Sequence, residues 1–275
     1  SVFLLLVRDF APLDERLDAV AARLERIPGF LAEAMLRLEK PPALWVDIAR
    51  EDMEGAIDFF HSTFPVLADQ HPRLRQRLLT ANLKALRAMT AFSEYLQRDL
   101  ASRAVDAFAA GRDSFEFLLR HRHRIADSLE ELQALGREEL ERTQRAMDRL
   151  AADAGETSWQ EMVARVQAHH PSSGELLKAY EEALGRAKHF VIEQGIATVP
   201  AGEELEIIET PVFLRHMVPF AAYQPAAPFE EKQKGLFYVT PPPDDASREA
   251  RLRGHNYAFI LLTTLHESFP GHHLQ

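Results

Sequence analysis

Between Pro12 and about Gly195, apolar residues return every three or four positions, beginning with Leu13, Leu17, Val20, Leu24 and Ile27. This is the spacing of one buried helix face. Pro28-Gly29 is read as an interruption, and a second stretch carrying Leu31, Met35 and Leu38 ends at Lys40-Pro41-Pro42, where proline has no N–H with which to continue. Further helices are predicted over about 43–63, 72–102, 104–120, 124–153, 158–169 and 174–194. Leu, Ala and Phe stripes at this period imply a packed helical core.

Beyond Gly195 the pattern changes. Leu205 to Thr210 and Val212-Phe213-Leu214 read as extended segments, and Pro200, Pro211, Pro219, Pro225 and Pro228 limit helix formation. Gly235-Leu236-Phe237-Tyr238-Val239-Thr240 has the aromatic and β-branched content of a strand. Residues 199–243 are therefore read as a small sheet with long loops, with 235–240 as an edge strand beside the terminal helix. After Pro241-Pro242-Pro243, one of Asp244, Asp245 or Ser247 is expected to cap a last helix carrying Leu252 through Leu265. The fold class is mainly α with a small β-sheet near 199–243, divided into a helical region over 1–198 and a sheet-plus-helix region over 199–275.

Composition narrows the classes of function. With 46% hydrophobic and 27% charged residues, the chain has the balance of a globular protein and not of a disordered or collagen-like one. Its net charge of −10 argues against nucleic acid as a partner, because phosphate binders concentrate basic residues. The absence of cysteine leaves His, Asp and Glu as the strong metal ligands, and it fits a reducing, cytoplasmic compartment, with a periplasmic or secreted one left open. The longest apolar runs, Val2 to Val7 and Tyr257 to Leu262, fall far short of the roughly 20 residues of a membrane-spanning helix. The opening Ser1 to Arg8 lacks an initiator Met and a basic leader, so it reads as a chain opened within a longer protein.

One stretch carries chemistry: His266-Glu267-Ser268-Phe269-Pro270-Gly271-His272-His273-Leu274-Gln275. In the zinc-hydrolase pattern H-E-x-x-H, two His four residues apart share a helix face and bind the metal, while the Glu is general base on its water. Here the fourth position after His266 is Pro270. Proline cannot bond the His266 carbonyl, so the helix must bulge or break, and Gly271 is free to take unusual dihedrals. On an unbroken helix His273 would lie about 10.5 Å along the axis from His266, too far for comfortable chelation. The site therefore requires Pro270-Gly271 to absorb about two extra residues, with His272 preferred as second ligand and His273 as the alternate. Without such a turn, the segment is a polar helix terminus with histidines favourable to its dipole. The pairs His121/His123 and His169/His170 lie in charged, solvated surroundings.

These residues resemble the H-E-x-x-P-G-H-H-x-Q signature of the bacterial family called domain of unknown function 885, whose members look like distant zinc metallopeptidases. The Gly271-His272-x-Leu274 spacing is also similar to part of the motif of thimet-type oligopeptidases, which favours His272. Upstream, Leu17 to Pro28, the Trp45 helix, the Tyr180 helix, Glu209-Thr210-Pro211 and Gly235 to Val239 are similar to the same family's pattern. The resemblance implies a multi-helix peptidase-like fold with a sheet edge beside the metal helix. It also implies a third ligand, a Glu, on a later helix than the one that carries His266. Glu209, Glu230 or Asp245 could substitute in principle, and 1–275 by itself is expected to be an incomplete, inactive part of a larger enzyme.

The expected function is zinc-dependent hydrolysis of peptide bonds, with His266 and His272 or His273 on the metal and Glu267 as base. Tyr223 or Tyr238 is the candidate donor to the oxyanion and substrate, against the plain alternative of strand aromatics packing on helices. His255 and Asn256 are either supports behind the ligands or surface groups. Two other readings share the sequence. One is a non-catalytic helical scaffold that retains the motif, and the other is a metal-dependent hydrolase of a different amide or ester.

Overall fold

The computed structural model describes residues 2–215, 217–227 and 230–275, with Phe213 described by its backbone alone; Pro228, counted above against helix, lies outside these residues. In chain order the helices are α1 (Val2–Val7), α2 (Leu13–Arg37), α3 (Ala43–Asp58), α4 (Phe64–Asp69), α5 (Arg75–Tyr95), α6 (Arg112–Phe117), α7 (Leu129–Asp153), α8 (Trp159–Gln167) and α9 (Leu176–Glu193). Three strands follow, β1 (Glu204–Glu209), β2 (Ala221–Gln224) and β3 (Lys234–Val239), then α10 (Arg248–Gly254) and α11 (Tyr257–Glu267). The chain forms two compact units. The first comprises Ser1–Ala107, Leu177–Pro241 and Leu262–Gln275, and the second Phe108–Leu176 and Pro242–Leu261. Among the described residues, no helix is long and apolar enough to cross a membrane.

In the first unit, α2 packs along α5, burying Leu17, Val20, Leu24 and Leu31 against a core that includes Leu78, Ala85 and Met89. The expected interruption at Pro28 does not occur, and α2 runs through it. Proline inside a helix costs about 3 kcal/mol, while each fully buried Leu returns about 1.5–3 kcal/mol. The stripe on both sides of Pro28 outweighs the lost hydrogen bond. The predicted helix over 104–120 begins only at Arg112. Upstream of it, Val105 is drawn into extended pairing by Ala43 N–H···O=C Val105 and Val105 N–H···O=C Pro41, both 2.9 Å. Gly111, at φ +86°, then turns the chain into α6.

The second unit contains α6, α7, α8, α10 and the opening of α11. A capping box starts α7: Ser128 accepts from the Glu131 N–H, and the Glu131 carboxylate accepts from the Ser128 N–H. The single last helix expected from the apolar pattern is two helices. The break falls at His255-Asn256, where the Asn256 side chain accepts from the Phe259 N–H at 3.0 Å and starts α11 afresh. His255 and Asn256 are both buried, so neither is a surface group.

The sheet has the order β1-β3-β2, with β1 parallel and β2 antiparallel to β3. This overturns the edge-strand expectation for 235–240, since β3 is the central strand and both of its edges are paired. The physical reason is legible in the residues. Leu236, Phe237, Tyr238 and Val239 are all buried, and such an unbroken apolar run belongs to a strand covered on both faces. Val212–Leu214 is a 3-10 turn and not an extended segment, entered from Pro211.

Candidate metal centre

The half of α11 that belongs to the first unit is built on Thr264 and Ser268, four residues apart and both fully buried. Phe269, equally buried, inserts beside Ala187 and Val191 of α9, with Leu265 and Leu274 packed around it. Fixing this side inward leaves His266, two positions beyond Thr264, pointing to the opposite, exposed face.

The helix ends at Glu267, and the Phe269–Pro270 peptide is cis. The His272 N–H then donates to the His266 carbonyl at 2.9 Å, closing a turn six residues long where a helix would use four. The two extra residues of the motif are taken up in this turn. Gly271 contributes space and not an unusual φ: a Cβ there would lie 1.8 Å from the His266 carbonyl oxygen. The His266 and His272 rings come to 4.7 Å between centroids at 89°. One ligand-type atom each from His266, Glu267 and His272 lies within 4.8 Å of the others, and this is the one such trio among the described residues.

Around the trio, hydrogen bonds fix individual atoms. His272 Nδ1 is 3.0 Å from Gln275 Oε1, so Nδ1–H donates to the amide oxygen and Nε2 keeps its lone pair. Glu267 Oε2 accepts from the Tyr223 backbone N–H at 3.2 Å. Tyr223 lies on β2, an edge strand, and its N–H points away from β3, as the alternation with Phe220, whose carbonyl accepts from Thr240 N–H, requires. The sheet edge beside the metal helix is thus β2.

His273 is held elsewhere. Its Nε2 is 2.6 Å from Glu203 Oε2 and its Nδ1 is 3.1 Å from the Tyr223 hydroxyl, with 4% of its side chain exposed. Glu203 also pairs with Lys188, whose ammonium sits 5.4 Å from the centre of the Phe269 ring. Burial pushes the Glu203 carboxyl upward, but the hydrogen bonds from Lys188 and His273 outweigh it and hold the group below the ordinary carboxylate value.

The remaining candidates are not members of the trio. Tyr238 projects from the opposite face of the sheet to Gly235 and Tyr223, and its buried hydroxyl has no hydrogen-bond partner among the described residues. Glu209 pairs with Arg215 at 3.1 Å, and Glu230 with Arg8 at 3.2 Å. Asp245, in the second unit, accepts from the Ser247 N–H. His170 pairs with Glu249 there. Sequence reasoning missed Glu203, Lys188, Gly235 and Gln275. Gln275 had a signal, as the last position of the motif, and the others are brought in only by the tertiary fold.

Two solved structures share this fold. One is a putative lipoprotein of unknown function from Shewanella oneidensis, at 19% identity and TM-score 0.65, matching over 99% of this chain and 52% of that one. The other is a putative lipoprotein from Colwellia psychrerythraea, at 17% identity and TM-score 0.66, over 99% and 51%. The chain thus spans about half the length of these structures. No curated protein matches it. The family model described as bacterial protein of unknown function (DUF885) matches residues 1–275, and the chain belongs to that family.

Proposed function

We propose that this chain carries the metal-binding core of a zinc-dependent hydrolase that cleaves peptide bonds. The observation behind this reading is the convergence of His266, Glu267 and His272 to within 4.8 Å on an exposed helix end. Imidazoles are ligands that zinc takes, and His272 Nε2 is left open by the bond to Gln275. His266 and His272 would hold the ion, and the resemblance assigns the third ligand to a glutamate on a later helix. Zinc so bound supplies Lewis acidity to a carbonyl and lowers the pKa of a water.

Glu267 is the general base in this reading. Its Oε2 is anchored by the Tyr223 N–H, which leaves Oε1 to accept a proton from the attacking water and pass it to the leaving amine. Tyr223 contributes its backbone and not its hydroxyl, because the hydroxyl is engaged with His273. We place the protein outside the cytoplasm, on the support of the two structural relatives described as lipoproteins.

The test is Glu267→Gln in the full-length protein. It should retain zinc, by elemental analysis after dialysis, and lose hydrolysis of a quenched-fluorescent peptide mixture by about 100-fold or more, the scale of a lost general base. Wild-type protein that takes up no zinc, or a Glu267→Gln variant with unchanged turnover, would remove the reading.

A further inference from the structure

The geometry points to His273 as a positioning residue that, clamped between Glu203 and Tyr223, aims the Glu267 carboxylate. This rests on the reading of Glu267 as a base beside a metal on His266 and His272. The argument starts from valence. A carboxylate only accepts, so Glu203 takes the Nε2–H of His273 and an N–H of Lys188. The other ring nitrogen, Nδ1, is paired with the Tyr223 hydroxyl at 3.1 Å, accepting its O–H when the ring is neutral. Both nitrogens are used, and neither is available to a metal.

Sterics close the same arrangement from the other side. The His273 ring meets Phe269 edge-on at 5.1 Å and Tyr223 at 5.6 Å between centroids. A Cβ on Gly235 would lie 2.9 Å from His273 Nδ1 and 2.7 Å from Tyr223 Cε2, so the glycine is what lets both rings sit against β3. Tyr223 is therefore fixed by its side chain, and its backbone N–H holds Glu267 Oε2. The chain of contacts runs from Lys188 through Glu203, His273 and Tyr223 to Glu267, and the side chains of Glu203 and His273 are each less than a tenth exposed. A carboxylate free to rotate at the exposed end of α11 is thereby held in one orientation.

The experiment follows the amide of residue 223 by NMR in full-length zinc-loaded protein, together with zinc content. His273→Ala and Glu203→Ala should keep zinc while the Tyr223 amide proton moves toward its position in Glu267→Ala and its hydrogen exchange quickens by about tenfold. Glu203→Gln, which keeps an oxygen facing His273, should stay near wild type, as a role in position and not in charge requires. If His273→Ala does not fold, Tyr223→Phe removes only the hydroxyl and should show the same faster exchange at residue 223. Loss of zinc in His273→Ala would make His273 a ligand and overturn the proposal while leaving a zinc enzyme. An unmoved Tyr223 amide in a zinc-retaining variant would overturn it equally. Failure of the wild type to bind zinc would strike the underlying reading instead.

Discussion

The backbone N–H of His272 donates to the backbone carbonyl of His266 across 2.9 Å, so the two histidines are joined by main chain before any metal joins their side chains. The bond depends on an empty position at residue 271. Gly271→Ala would put a methyl carbon 1.8 Å from the carbonyl that accepts it, and backbone cannot yield there as a flexible side chain can. We expect this variant to lose at least about 2 kcal/mol of stability, in the range of severe backbone clashes, and to lose zinc binding. Urea unfolding and metal titration check the two halves separately.

Ligand identity is testable through graded losses. His266→Ala and His272→Ala should each weaken zinc by more than about 100-fold, beyond the usual 10–100-fold cost of removing a supporting group. Gln275→Ala removes the bond that orients His272, and a loss of about tenfold is expected. Competition with a chromogenic chelator gives all three constants, and equal affinity in His272→Ala and wild type would exclude that ligand.

Glu203 gives the fold an acid-sensitive element. Its folded pKa lies below the ordinary carboxylate value, so its contribution is complete above the unfolded value and is lost as pH falls through the folded one. The stability difference between wild type and Glu203→Gln should therefore be constant from pH 7 to about 5.5 and shrink on further acidification. Denaturant midpoints at a series of pH values measure it, and a difference that grew toward low pH would reverse the sign.

The helices were legible because burial repeats at the helical period, and the stripe of α2 is visible in Leu17, Val20 and Leu24 without any structure. Local rules failed where tertiary packing outvoted them. Pro28 reads as a break because its own chemistry forbids a hydrogen bond, yet Leu24 and Leu31 on either side are committed to one core. The site was half legible. His266, Glu267 and His272 fall within one seven-residue stretch, whereas Glu203 reaches His273 from 70 residues away, and no spacing rule announces such a pair.

Pro28 itself supplies a stability test. Pro28→Ala would restore an N–H facing the Leu24 carbonyl in a helix that already runs through the position, so we expect stabilisation of about 1–3 kcal/mol. A lower denaturant midpoint would mean that the ring's own packing outweighs the missing bond.

Gly235 also decides which register of β3 the protein tolerates. Strand side chains alternate, so a slip of one residue would bring Leu236 to the place now vacant before His273 and carry Phe237 away from Tyr180, against which it packs at 5.6 Å. An insertion or deletion before β3 therefore cannot be transmitted into the strand without moving both rings out of place.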